Sequence, residues 1–285
     1  MKIRIVATTD IGNHREQNED AFTICPDLTK PNWNQKKALS DYGDYGSLLV
    51  VADGMGGANA GEEASITAIK TIQERFSSAN LSTIVQSKEQ LIDFLSKSIV
   101  AADDTLNELM IRKPETYGMG TTIVVCWLLK GKAYVAWCGD SRCYVYNEKN
   151  GLKALTKDHS YVQELIDLGE LTDEEAFDHP ENSTITRGLG DFDTKAIPDI
   201  VTYDIDPNDI FLLCSDGLCG YCNNQTIEKI IQNNRRNVAR CRNELLKTAL
   251  KSGGEDNITI ILTSFTEHPL KKLISYLFKR RKTIS

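Results

Sequence analysis

Residues Ser47–Gly61 read SLLVVADGMGGANAG, and they constrain the chain more than any other stretch. Leu48–Ala52 is a short apolar run rich in β-branched residues and stopped by glycines, which predicts a buried strand. Asp53 falls where that strand is expected to end. Gly54, Gly56 and Gly57 behind it permit tight turning and leave backbone groups bare. Ala60–Phe76 then reads as a helix. A carboxylate at the rigid end of a buried strand, beside bare backbone, suits a hard divalent cation.

The same motif, an acid at the boundary of an apolar run, recurs along the chain. Ile3–Thr8 and Ala21–Ile24 read as strands separated by a polar loop, and Asp20 stands at the start of the second. Pro26–Gly46 reads as loop. Helical spacing covers Glu62–Phe76 and Lys88–Met110. Thr121–Leu129 and Lys132–Cys138 read as a hairpin about Lys130-Gly131, and Asp140 follows it. Cys143–Tyr146 continues in alternation. Ser160 or Asp158 would cap a helix over Val162–Leu168, and Leu171–Pro180 reads as a polar, mobile stretch. Asp216 follows the strand-like Asp209–Cys214. Thr226–Gln232 and Val238–Ser252 read as helices, and Asp256 precedes a last strand, Ile258–Phe265. No internal repeat and no Pro-, Gly- or Ser-rich linker divides the chain. One domain over residues 1–266 is expected, with a basic amphipathic tail over 267–285.

A single Asp beside Gly is more often a turn former or helix cap than a metal ligand. Five at strand boundaries are a different matter. In antiparallel sheets, the end of one strand lies beside the start of its neighbour, so such acids can gather on one edge. Gathered carboxylates raise one another's pKa, and divalent cations relieve the repulsion. All-oxygen ligation favours Mg²⁺ or Mn²⁺ over zinc.

Composition excludes other classes. The 285-residue chain is 41% apolar, enough for a substantial core, and its net charge is −7. Lys271, Lys272, Lys279, Arg280, Arg281 and Lys282 all fall in the tail, so the body is more acidic still. That argues against nucleic acid as the main ligand. Eight cysteines are scattered through apolar runs, as expected of small core residues in a reducing compartment. Cys219-Gly-Tyr-Cys222 has no second Cys/His pair at zinc-finger spacing. Met1–Ile5 is followed at once by polar residues, so no signal peptide is expected, and no run approaches the roughly 20 apolar residues of a spanning helix. A cytoplasmic monomer is expected.

Taken in order, eight short stretches resemble one family. They are Arg15–Asp20, Val51–Gly57, Gly120–Thr122, Gly139–Arg142, Asp158–Ser160, Ile185–Gly190, Ser215–Leu218 and Asp256–Thr259. Together they are similar to the metal-dependent serine/threonine phosphatases of the protein phosphatase 2C type, over Ile3 to about Thr263. The resemblance implies an α+β fold, a four-layer α-β-β-α sandwich of two antiparallel sheets flanked by helices. It implies two Mn²⁺ or Mg²⁺ ions bridged by Asp53. The Gly54 carbonyl and Asp216 and Asp256 would also be ligands, with Asp20 and Glu19 supporting the second ion directly or through water. It implies a third ion at Asp140, as in bacterial members. Arg15 would grip the substrate phosphate with its planar fork. The substrates would be phosphoproteins made by a serine/threonine kinase.

The mechanism expected of such a pair is direct. A water between two metals loses its proton near neutral pH and attacks phosphorus in line, without a phosphoenzyme. Eukaryotic members carry a histidine after the Asp-Gly pair as proposed acid; this chain has Met55, which cannot protonate the leaving oxygen. His159 and His179 are the candidate substitutes. Three rivals are weighed against this reading. A dinucleotide-binding loop fails because Asn59 takes the third glycine position of G-x-G-x-x-G. An aspartyl-phosphate enzyme needs an acid where Met55 stands. A catalytically dead module of the same fold would not keep acids at the main metal positions. The tail interleaves Leu270, Leu273, Ile274, Leu277 and Phe278 with its basic residues, which suits contact with an anionic membrane or a partner, or packing on its own domain.

Overall fold

A computed structural model describes residues 2–33, 36–41, 43–56, 60–190 and 195–266. The chain opens with β1 (Lys2–Asp10), β2 (Asp20–Cys25), β3 (Lys37–Asp41) and β4 (Ser47–Met55), then α1 (Ala60–Ser78), α2 (Leu81–Ile84) and α3 (Lys88–Arg112). The middle holds β5 (Gly120–Thr121), β6 (Ile123–Leu129), β7 (Lys132–Cys138), β8 (Arg142–Asn147) and β9 (Gly151–Ala154), followed by α4 (Tyr161–Asp167) and α5 (Asp173–Phe177). β10 (Leu189–Gly190), β11 (Asp199–Asp204), β12 (Ile210–Cys214), α6 (Asp216–Cys219), α7 (Asn224–Asn234), α8 (Val238–Lys251) and β13 (Ile258–Thr266) complete it.

The strands form two sheets. One has the order β3-β1-β13-β12-β8-β9; the other has β10-β5-β4-β6-β7-β11, with β2 also paired to β4. Every pairing is antiparallel.

Side-chain parity builds the layers. In β4, Leu49 and Val51 pack between the sheets with Ile3, Ile5, Phe211 and Ile261. Leu48, Val50 and Ala52 point the other way, onto Ala64, Ile72, Leu95 and Ile99 of α1 and α3. Phe76, Phe94 and Trp127 seal that layer with edge-to-face contacts at 4.9–6.2 Å between centroids. On the far side, Leu212, Ile260 and Leu262 meet Ile227, Ile231 and Leu245 of α7 and α8. The result is the expected α-β-β-α sandwich. β4 reads as an unbroken apolar run because both its faces are covered.

The hairpin β6–β7 turns at Lys130 (φ 49°) and Gly131 (φ 77°), the left-handed pair of a two-residue turn that matches strand twist. Ser160, not Asp158, caps α4, accepting from the Gln163 amide. Four expectations are corrected. β4 runs on through Asp53 to Met55, because Gly54 and Met55 find partners in β5. β3 forms inside the stretch read as loop, by pairing Lys37–Asp41 along β1. β11, not anticipated, pairs along β7. The stretch Leu171–Pro180 contains α5, started by a reciprocal capping box between Thr172 and Glu175. The tail 267–285 lies outside the described residues.

Candidate metal centre

One end of the sandwich collects the acids. β4 and β2 meet there as Asp53 opposite Asp20, β6 and β7 as Ile123 opposite Cys138, and β12 and β13 as Cys214 opposite Ile260. Asp53 shares parity with Leu49 and Val51, so it closes the open end of the inter-sheet core. Asp140, Asp216 and Asp256 stand just beyond the ends of β7, β12 and β13.

The carboxylates feel one another. Burial first, then Asp20, Asp216 and Asp140, push the Asp53 carboxyl far above the usual range. Burial and the charges of Asp216 and Asp256 raise Asp20 to about 8, against hydrogen bonds that favour its charged form. Burial and Asp256 raise Asp216 to about 6. Asp140 is raised by burial, then by Asp216 and Asp158, with Arg142 opposing. Asp20 and Asp140 are only 8% and 5% exposed.

These groups are not satisfied by protein. Oδ1 of Asp20, Asp140 and Asp216 are each buried without a hydrogen-bond partner. Buried polar atoms are rarely left so. An orphaned oxygen on each of three converging acids, with no nitrogen or sulfur donor among them, fits hard divalent cations. No three His, Cys, Asp or Glu among the described residues have the geometry of a ready-made protein cage.

A web of neutral residues aims the acids. Ser215 Oγ donates to Asp20 Oδ2 at 2.7 Å and accepts from the Thr259 amide at 3.0 Å. Thr122 Oγ1 accepts from the Asp53 amide at 3.2 Å and meets Ser141 Oγ at 2.7 Å. Asn257 is the hub of the Ile11–Glu19 loop. Its Oδ1 accepts from the Glu19 amide at 2.7 Å, and its Nδ2 donates to the Ile11 and Gln17 carbonyls at 2.9 Å each. None of the four was singled out from sequence. Ser141, Ser215 and Asn257 each adjoin a motif acid and Thr122 lies in the Gly120–Thr122 stretch, but a Ser, Thr or Asn there reads equally as turn chemistry.

Three expected site residues have further duties. The Gly54 amide donates to the Glu19 carbonyl, as does Ser65 Oγ, at 3.2 and 2.5 Å. A Cβ at 54 would lie 2.0 Å from the Gly61 carbonyl oxygen, so only glycine lets α1 start so close to β4. The Glu19 carboxylate lies against the first turn of α1, its Oε1 2.5 Å from where a Cβ on Gly61 would stand. Arg15 donates through Nη2 to Asp256 Oδ2 at 2.7 Å. Both are partly open to solvent, 49% and 26% exposed.

The histidines do not serve as sequence suggested. His159 Nδ1 accepts from the Gly139 amide and Nε2 meets Asp199, so it has no proton to offer the cluster. His179 lies beyond α5, its Nδ1 taken by the Glu181 amide. Cys219 and Cys222 are buried in the α6–α8 core, with burial pushing Cys222 up to about 11, so the pair is packing rather than a reactive thiol site.

The protein phosphatase 2C family model matches residues 6–258. The serine/threonine phosphatase Stp of Listeria welshimeri is 31% identical over 89% of this chain and 92% of its own. The structure of the Streptococcus agalactiae serine/threonine phosphatase superposes with a TM-score of 0.79, at 28% identity, over 93% of this chain and 100% of that one. The catalytic domain of the serine/threonine phosphatase PstP, solved with two manganese ions, superposes with a TM-score of 0.73 at 27% identity, over 94% of this chain and 100% of that one.

Proposed function

The chain belongs to the protein phosphatase 2C family of serine/threonine phosphatases, and from that premise we propose that its carboxylate cluster holds two Mn²⁺ or Mg²⁺ ions for direct hydrolysis of phosphoserine and phosphothreonine in proteins. The observation that carries this reading is the set of orphaned buried oxygens on Asp20, Asp140 and Asp216 around Asp53. Asp53 would be shared between the ions. Asp216, Asp256 and the Gly54 carbonyl would complete one, and Asp20 would serve the other, with Glu19 as a framework residue beside it. Asp140 would hold a third, weaker ion. When bound, such ions supply Lewis acidity and make a water nucleophilic near neutral pH.

The chain's own residues do the rest. Arg15 receives the substrate phosphate: its half-exposed fork carries more donors than Asp256 uses, and planar guanidinium suits phosphate oxygens. Burial of Asp20 and Asp140 beside the partly buried Asp53 keeps the cluster in a low-dielectric setting where charge on phosphorus is felt strongly. Met55 stands at the acid's position and has no proton to give, so the leaving oxygen would take its proton from a metal-bound water or leave without an acid. The eight free, buried cysteines support a reducing compartment such as the cytoplasm. No helix among the described residues is long and apolar enough to cross a membrane. The basic amphipathic composition of residues 267–285 supports contact of that tail with an anionic membrane or a partner.

Phosphate release from phosphoserine and phosphothreonine peptides tests the proposal, in metal-stripped buffer and after Mn²⁺ is restored. Turnover should appear with metal and vanish in Asp53→Asn and Asp256→Asn. Near-normal turnover in either variant, or turnover indifferent to metal, overturns it. Deleting residues 269–285 and comparing liposome pelleting decides the role of the tail.

A further inference from the structure

His159 is 3% exposed, its ring laid against Trp137 with centroids 6.0 Å apart and planes 20° apart. Its polar groups are committed to Gly139, Asp199 and Thr186. The Gly139 amide donates to His159 Nδ1 at 3.1 Å. The His159 amide donates back to the Gly139 carbonyl at 3.0 Å. Because Nδ1 accepts, the ring proton sits on Nε2, which donates to Asp199 Oδ2 at 3.1 Å. Asp199 opens β11 and is the registered partner of Trp137. The imidazole is therefore held in one tautomer and one orientation by elements of the same sheet.

Gly139 needs such holding. It lies past the end of β7, with φ at +115°, a conformation open only to glycine. A Cβ there would meet Thr122 Cβ at 2.5 Å. The turn Gly139–Ser141 is thus gripped from two sides. Thr122, which also contacts the Asp53 amide, holds Ser141; His159 holds both polar groups of Gly139. Between the two grips stands Asp140, its buried Oδ1 without a partner.

We propose that His159, oriented by Asp199, is a positioning residue that sets the Asp140 carboxylate as the ligand of the weakest-bound metal ion. This rests on the reading of Asp140 given above. The arrangement is a ligand's supporting layer built one step further out: imidazole to backbone to carboxylate. Removing such partners weakens a metal site by about 10- to 100-fold.

Three substitutions separate positioning from packing. Asparagine can place an oxygen where Nδ1 accepts from Gly139 but cannot reach Asp199. Glutamine can reach Asp199 but does not offer Gly139 its acceptor. Alanine loses both. Mn²⁺ binding to metal-stripped protein, followed by calorimetry without substrate and paired with melting temperature, reads the effect. The wild type should bind a tight pair and a weaker ion. His159→Ala and His159→Gln should weaken only the weaker step, by about 10- to 100-fold, and His159→Asn should restore it to within about threefold of wild type. If His159→Ala does not fold, the contrast between Asn and Gln still decides. An unchanged weak step in Gln, an Asn variant as poor as Gln, or equal loss of all steps alongside a lower melting temperature overturns the proposal. A wild type that binds two ions and no third overturns it while leaving the proposed function standing; one that binds none overturns both.

Discussion

Asp20 and Asp53 are registered partners in the β2–β4 ladder, two carboxylates directly across from each other on the face between the sheets. Opposed like charges weaken a sheet, and here Asp20 is buried and Asp53 partly so. The ladder is complete through this pair; burial first raises both carboxyls, and the Asp20 charge adds to the rise at Asp53 while Asp216 and Asp256 add to it at Asp20. The metal-free protein is therefore less stable at this end than its packing would allow.

Asp53→Asn removes one charge from that pair and from the neighbourhood of Asp216 and Asp140. Turnover should fall by about 10³-fold or more, about 4 kcal/mol of transition-state stabilisation. The melting temperature of the metal-stripped variant should equal or exceed that of the metal-stripped wild type. A variant that is inactive because it is unfolded contradicts this account, and thermal melts in chelator distinguish the two.

Arg15→Ala takes away a charge-assisted contact without touching a buried acid. KM for a phosphopeptide should rise about 10-fold, equivalent to about 1.4 kcal/mol, with kcat nearly unchanged. Stability should hardly move, since the pair with Asp256 is substantially exposed. An unchanged KM would remove Arg15 from the phosphate site. Arg15→Lys should recover only part of the effect, because an ammonium lacks the fork.

Ser215→Ala leaves the buried Thr259 amide without its acceptor and Asp20 without its donor. An unfolding free energy lower by about 1–3 kcal/mol is expected from the unsatisfied amide. Asn257→Ala should release the Ile11–Glu19 loop, losing three hydrogen bonds worth roughly 1 kcal/mol each. Faster amide exchange in that loop, with the sheets still protected, is the specific signature.

The pH dependence has a definite sign. Asp20 and Asp216 are raised to about 8 and about 6 in the folded protein, from an ordinary value near 3.8. Between those limits the native state holds more protons than the unfolded chain. The contribution of these two groups to the stability of the metal-free protein is fully present below the ordinary carboxylate range and is lost as pH rises through about 6 and about 8. Metal binding displaces the same protons, so Mn²⁺ should stabilise more as pH rises across this window. Melting curves with chelator and with Mn²⁺ over a pH series check it. Curves that stay parallel across the window would show that these carboxyls are not the titrating groups.

Residue order by itself determined a great deal here. The apolar run Leu48–Ala52, the hairpin turn at Lys130-Gly131 and the long amphipathic helices are local signals, and local signals survive without a fold. The recurrence of an acid at strand boundaries was also legible, and with antiparallel pairing it implied one crowded edge. What tertiary structure alone decided is who meets whom. β3 and β11 escaped notice because they are edge strands with half-exposed residues; their order comes from a neighbour's free ladder, not from their own apolar pattern. Ser215 and Asp20 are 195 residues apart, and Asn257 and Glu19 are 238 apart. Nothing in a serine or an asparagine announces such a partner. Glu19, expected to support a metal directly or through water, lies against the start of α1, and His159, one of two candidate substitutes for the acid, grips a glycine. In both cases the side chain's chemistry was plain, but its direction depended on which backbone donor the fold brought within reach.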